Sequence, residues 1–169
     1  MIKFFGVLMI IASCSAMGIT LNRDMRIRLK VIKGHIAALG IIKAEIIYKN
    51  TQLEKIIDLL EEHCGQEISF FYKETFRHAS VGTTFSTAAQ ANYVILKKQG
   101  LITEDIEILK QVCSVLGRFD GAVQAERINT ACSELQRSYD ALKAEIASKG
   151  KLYKAIGATV GITLALIAI

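Results

Sequence analysis

The stretch AERINTACSELQRSYDALKAEI, residues 125–146, decides the fold class of this chain. Its apolar positions recur at alternating steps of three and four residues, which is the spacing of one helix face in a heptad-like pattern. These positions are Ala125, Ile128, Cys132, Leu135, Tyr139, Leu142 and Ile146. The pattern predicts a long amphipathic helix that packs against another helix through this apolar seam.

A second seam of the same period lies in residues 22–50, close to the other end of the sequence. Its apolar positions are Met25, Leu29, Ile32, Ile36 and Leu39, followed by Ile42 and Ile46. Two long helices with complementary seams are expected to pack as an antiparallel pair, with shorter helices capping the pair. The alternative is that a seam pairs with another copy of the chain, which would give a coiled-coil homo-oligomer.

The composition favours helices throughout. Proline is absent from the 169 residues, and aromatic residues make up only 7%. Because proline interrupts helices and marks turns, its absence favours long continuous helices. The sequence also lacks the sustained alternation of polar and apolar residues that predicts strands. We therefore predict an all-α fold.

Capping residues and glycines divide the middle of the chain into shorter predicted helices. In chain order, these boundary residues are Thr51 with Glu54 as a capping box, Gly65, Gly82, Gly100, and Thr103 as the cap of a helix over 104–117. The apolar stripe predicted for this last helix is Ile106, Leu109, Val112, Cys113 and Leu116.

Two apolar segments without acidic residues lie at the ends of the sequence, Phe4 to Leu21 and Leu152 to Ile169. Each is about 18 residues long, or roughly 27 Å as a helix, which is enough to cross a bilayer. We therefore predict transmembrane helices over residues 1–21 and 152–169, and an α-helical domain over residues 22–151.

The formal net charge is +5, and the positive residues crowd the two predicted membrane boundaries. They are Arg23, Arg26, Arg28, Lys30 and Lys33 after the first segment, and Arg137, Lys143, Lys149, Lys151 and Lys154 around the start of the second. By the positive-inside rule, the middle domain is expected in the cytoplasm. This location favours contact with the lipid bilayer over nucleic acid as the role of the charges.

The N-terminal segment has an alternative interpretation. The run Ile11-Ala12-Ser13-Cys14 has the shape of a lipobox, and cleavage there would leave Cys14 lipidated. The apolar stretch continues to Leu21, however, and a cationic cluster follows it as a stop-transfer signal. An uncleaved membrane span is the better prediction.

The sequence offers no recognisable catalytic chemistry. It contains no metal-ligand spacing, no glycine-rich phosphate loop and no nucleophile paired with a base. We predict a non-enzymatic protein without catalytic residues, cofactor or metal. The cysteines lack paired spacing, and Cys113 and Cys132 fall on apolar helix faces, so they are expected to act as small buried apolar side chains.

An acidic cluster formed by Glu104, Asp105 and Glu107 opens one of the middle helices. One interpretation is that these charges complement the positive end of the helix dipole. The other is that they form a surface that docks a basic patch on a cytoplasmic partner. Glu45 with Tyr48, at the far end of the first long helix, is a second candidate for partner binding.

Three stretches resemble the stage III sporulation protein AB family: LGIIKAEIIYKNTQL at 39–53, LITEDIEILKQVCSVLGRFDGAVQAERI at 101–128, and KLYKAIG at 151–157. The second stretch is the most specific. It matches the family pattern at Glu104, Asp105, Glu107, Ile108, Leu109, Leu116, Gly117, Asp120, Gln124 and Ile128. Together with the two terminal segments, the resemblance covers essentially the whole chain.

The resemblance implies a subunit of a sporulation channel complex between mother cell and forespore. It implies a position in the mother-cell membrane and a cytoplasmic domain similar to the platform protein of type II secretion systems. It also implies partners among other stage III sporulation proteins, including a cytoplasmic secretion-type ATPase. From the residues alone, a membrane-tethered sensor or regulator is the alternative function.

Overall fold

Six α-helices follow one another along the part of the chain that the computed structural model describes. They are α1 (Ile2–Tyr48), α2 (Leu53–Cys64), α3 (Gln66–Ala79), α4 (Phe85–Lys98), α5 (Thr103–Val115) and α6 (Gly121–Ala168). The structure describes the backbone of residues 2–48, 53–79 and 82–168, and the side chains of residues 20, 22–47, 55–79 and 82–148. Those ranges contain no strand, so the prediction of an all-α fold is confirmed.

The chain divides into two compact units, residues 1–27 with 141–169 and residues 28–140. The first unit holds the two terminal apolar segments. Within the described part of the chain, no helix offers an apolar stretch that could traverse a bilayer. Almost all of the two predicted spans falls on positions whose side chains lie outside the described residues. The transmembrane helices therefore stay predictions.

In the 28–140 unit, α1 and α6 run antiparallel. The Arg28 side chain lies 3.3 Å from the hydroxyl of Ser138, and Cys132 Sγ lies 4.0 Å from the carbonyl oxygen of Ile36. A Cβ placed on Gly121 would lie 3.5 Å from Ile46 Cγ2. From one contact to the next, the residue number rises along α1 and falls along α6. This is the antiparallel pairing that the two seams predicted.

The shorter helices complete the core of this unit. The largest fully buried side chains include Phe71 and Tyr72 of α3, together with Leu60 of α2 and Leu96 of α4. Their burial removes apolar surface from water, which is the main favourable term in folding. The predicted stripe of α5 is buried as well, at Ile106, Leu109, Val112, Cys113 and Leu116.

Helix α3 approaches α1 closely at Gly34. A Cβ built on Gly34 would lie 2.7 Å from Ile68 Cγ1, which is closer than packed atoms tolerate. The contact between Gly34 and Ile68 is therefore tight, and a larger residue at position 34 would require Ile68 or one of the helices to shift. It also brings the aromatic face of α3 onto His35, the next residue of α1.

The helix ends follow the predicted glycines, with one correction at α5. Gly65 and Gly100 have φ of 80° and 92°, the left-handed conformation that ends helices and that glycine adopts without strain. Thr103 is the first residue of α5 and does not cap it, because Ile102 occupies the N-cap position without a side-chain hydrogen bond. Leu101, just before α5, and Asp105, in its first turn, are both buried. The predicted capping box at Thr51 lies outside the described residues.

Candidate functional site

The structure separates the three residues of the predicted acidic cluster. Glu104 and Glu107 are exposed, whereas Asp105 is 0% exposed. The reason is helical geometry, since Asp105 shares a repeat of four, three and four residues with buried Leu109, Val112 and Leu116. The cluster therefore presents two carboxylates to solvent and buries the third.

The Asp105 carboxylate is fully engaged inside the domain. Arg28 of α1 donates to both of its oxygens, from Nε to Oδ2 at 2.7 Å and from a terminal guanidinium nitrogen to Oδ1 at 3.1 Å. The hydroxyl of Ser138, on α6, donates to Oδ1 at 2.7 Å. Such a bidentate, charge-assisted pair fixes both distance and orientation.

This geometry corrects the prediction that Asp105 faces a partner. Its carboxylate is not exposed to solvent. A partner could reach it only by breaking the ion pair with Arg28. Removing one member of a buried ion pair leaves the other charge uncompensated, which is strongly unfavourable. Glu104 and Glu107 stay as the predicted partner-facing residues.

The second predicted candidate, Glu45 with Tyr48, does not form an exposed pair. Glu45 is only 6% exposed and has an interaction partner of its own, so it does not present a free carboxylate to a ligand. The side chain of Tyr48 lies outside the described residues. The structure therefore corrects the surface position expected for Glu45.

A polar cleft of about 390 Å³ lies between α4 and α5 and adjoins the acidic residues. Lys110 connects the two features, because its Nζ lies 2.5 Å from Glu107 Oε1 and 5.1 Å from the centre of the Tyr93 ring. Burial raises the pKa of the Tyr93 hydroxyl, so it stays protonated. The cleft is lined by Ser86, Gln90, Tyr93, Lys110, Gln111 and Ser114.

A second buried polar cluster forms around His35 of α1, which is 0% exposed. Its Nδ1 lies 3.1 Å from the hydroxyl of Tyr72, and its Nε2 lies 3.1 Å from Gln99 Oε1. Because Gln99 donates its own amide hydrogen to the carbonyl of Glu67, its Oε1 is the acceptor, and His35 carries its proton on Nε2. Tyr72 then donates to Nδ1.

The sequence interpretation missed both buried clusters, although a signal for them exists. Arg28 and His35 belong to the same alternation of four and three residues as buried Ile32, Leu39 and Ile42. A polar residue at such a position is expected to find a buried partner.

The described residues contain no candidate metal site. No group of three or more His, Cys, Asp or Glu side chains lies close enough there to hold a metal ion. Every buried side-chain nitrogen and oxygen in the described ranges has a hydrogen-bond partner. Cys113 is buried, as predicted, and burial raises the pKa of its thiol to about 12. Cys132 is half-buried.

Comparison with known proteins gives one consistent result. The family model described as Stage III sporulation protein AB matches residues 3–169. The Stage III sporulation protein AB of Bacillus subtilis (strain 168) is 24% identical over 169 residues, covering 99% of each chain. No solved structure matches this chain.

Proposed function

This chain belongs to the stage III sporulation protein AB family, and from that membership we propose that it is a non-enzymatic membrane subunit of a sporulation channel complex. The observation that carries the proposal is the family match along residues 3–169, which includes both terminal segments and the helical middle. In this proposal, the subunit lies in the mother-cell membrane, with residues 22–151 in the cytoplasm.

The middle domain would act as a docking platform for other subunits, in the manner of the platform protein of a secretion system. Its polar surface beside α5 supports this role, because Glu104 and Glu107 are exposed on one helix. Lys110 extends this surface to the cleft beside Tyr93. Carboxylates arranged in this way favour a partner with a basic patch, and such complementarity acts mainly on specificity and association rate. A cytoplasmic secretion-type ATPase of the same complex is the proposed partner.

The basic residues near the terminal segments are proposed to contact the membrane. Arg23, Arg26 and Lys143 are exposed in the unit that contains the chain ends. Basic side chains close to a bilayer surface interact favourably with anionic headgroups, at about 1 kcal/mol for each charge. This agrees with anchoring through both ends.

Within residues 28–140, α1 and α6 contact each other, and the seam residues Ile36, Cys132 and Ile46 take part in these contacts. The coiled-coil homo-oligomer was expected to use one of these seams. Self-association would therefore need a different surface, and the platform role is the better supported of the two.

The test is affinity purification of the tagged full-length chain from sporulating cells, after detergent solubilisation, with mass spectrometry of the recovered proteins. Recovery of a secretion-type ATPase with other stage III proteins is the expected result. The proposal would be contradicted if the tagged chain is recovered and every other protein is present only at the level found with an untagged control strain.

A further inference from the structure

We infer that Arg28, Asp105 and Ser138 form a latch that couples the first turn of α5 to the two long helices of the domain. Through this latch, a partner bound at Glu104 and Glu107 would act on α1 and α6. The partner clause rests on the proposed function. The latch itself rests on the geometry of three side chains, each on a different helix.

The latch is the polar connection between elements that are far apart in sequence. Arg28 and Asp105 are separated by 77 positions, and Asp105 and Ser138 by 33. One carboxylate oxygen, Asp105 Oδ1, accepts from both partners at 3.1 Å and 2.7 Å. Any displacement of Asp105 therefore changes its contacts with α1 and α6 together.

Stability alone does not account for this arrangement. Taking two charges out of water is costly, and apolar side chains of similar volume often hold a core equally well or better. What a bidentate pair adds is a fixed orientation that apolar packing does not impose. The latch is therefore suited to holding the α5 turn in one defined position.

The start of α5 depends on the latch because it lacks a side-chain cap. Ile102 occupies the N-cap position, where its carbonyl accepts from the Ile106 amide but its side chain provides no hydrogen bond to the first turn. Asp105 lies in that turn, with exposed Glu104 directly before it. A partner that shifts the turn must either carry α1 and α6 with it or separate Arg28 from Asp105. These alternatives make the first turn a two-state element to which a partner can couple.

The latch is tested without any partner by hydrogen exchange on the purified full-length chain in detergent micelles. Ser138→Ala removes a hydrogen bond from α6 to Asp105, and Ser133→Ala is the control because Ser133 is exposed on the same helix. Ser138→Ala is expected to raise the exchange rate of the Ile106 and Glu107 amides, the first of α5 that can donate within the helix, by about tenfold, and Ser133→Ala to leave it unchanged. Equal exchange in the two variants would overturn the latch.

The coupling is tested with the variant Arg28→Met/Asp105→Leu, which replaces the pair by apolar side chains. Its thermal midpoint should stay near that of the wild type, while recovery of the proteins that co-purify with the wild-type chain should fall about tenfold. Wild-type recovery in this variant would show that the pair only packs the core, and would overturn the coupling. If the variant does not fold, the co-purification is repeated with Ser138→Ala. Recovery of the partner proteins at the wild-type level would then contradict the coupling.

The two proposals can fail separately. If the wild-type chain recovers no other subunit, the proposed function fails, whereas the exchange experiment still decides whether the latch exists. If the wild type recovers its partners and Ser138→Ala exchanges like Ser133→Ala, the docking surface stands and the latch fails.

Discussion

His35 and Tyr72 are 37 positions apart, and the imidazole Nδ1 lies 3.1 Å from the phenol oxygen in the interior of the domain. The two rings are tilted by 55° at a centroid distance of 5.7 Å. Gln99 occupies the other imidazole nitrogen, so both polar atoms of the ring are satisfied. These contacts join α1 to α3 and to the end of α4.

The first prediction concerns pH. Burial is the main cause that lowers the pKa of His35 from 6.5 to about 4, opposed by its hydrogen bond to Gln99 and by the charge of Asp105. In the unfolded chain, His35 takes up a proton near its ordinary pKa of 6.5, whereas the folded chain resists protonation down to about 4. The free energy of unfolding should therefore fall as the pH decreases through this window, by about 3 kcal/mol.

The measurement is urea unfolding of the full chain in detergent micelles, followed by circular dichroism at several pH values. The variant His35→Phe/Tyr72→Phe removes the titrating group and its donor together. It should lose less stability than the wild type between neutral pH and a pH of about 4, since every other group that titrates in this range is present in both proteins. Identical pH profiles for the two proteins would refute the assignment.

The second prediction concerns the Tyr72 hydroxyl. Tyr72→Phe leaves the buried Nδ1 of His35 without a donor, and an unsatisfied buried acceptor costs about 1–3 kcal/mol. Tyr93→Phe is the matched control, because Tyr93 is only half-buried, and its effect should stay within about 0.5 kcal/mol. Thermal unfolding of both variants tests this difference, and equal midpoints would contradict the hydrogen bond.

The third prediction compares two glycines of α1. Gly34→Ala places a Cβ 2.7 Å from Ile68 Cγ1, so the Ile68 side chain or the helices must shift, and we expect a loss of about 1–3 kcal/mol. Gly40→Ala meets nothing within 4 Å and should stabilise the helix by about 0.5–1 kcal/mol. Adding Ile68→Ala to Gly34→Ala should reduce the loss caused by the glycine substitution. If Gly34→Ala leaves the free energy of unfolding unchanged, this contact is not tight.

The sequence predicted the helical framework because that framework follows from repeating apolar positions. The two seams, the stripe of α5 and the glycine helix ends at Gly65 and Gly100 all depend on local spacing or local backbone conformation. These are properties that a single sequence displays directly. The cap predicted at Thr103 was wrong because α5 begins one residue earlier, with Ile102 at the N-cap position and no side-chain hydrogen bond there.

The candidate site was harder to predict because its partners are distant in sequence. A carboxylate at a helix start is usually exposed, and the partners of Asp105, which are Arg28 and Ser138, lie on other helices. Spacing shows that Arg28 and His35 share a helix face with apolar residues. It does not show which side chains are their hydrogen-bond partners. The exposed positions of Glu104 and Glu107 agree with the prediction, and their role in binding stays a proposal.

The central claim is that exposed carboxylates on α5 dock another subunit of the complex. Its fourth and most direct prediction concerns Glu104→Lys/Glu107→Lys in the full-length tagged chain, which leaves Asp105 and the buried pair untouched. The control is Asp58→Lys/Glu62→Lys, because these residues are exposed on α2 and the change in net charge is the same. Both variants should keep the thermal midpoint within a few degrees, since exposed charges contribute little to stability.

The deciding measurement is the amount of secretion-type ATPase and other stage III proteins that co-purifies with each variant from sporulating cells. We predict that the α5 variant loses about 90% or more of the wild-type recovery, as expected when like charges face each other across an interface. The α2 control should recover its partners at the wild-type level. Wild-type recovery by the α5 variant would contradict the docking surface and leave Glu104 and Glu107 with only a role at the positive end of the helix dipole.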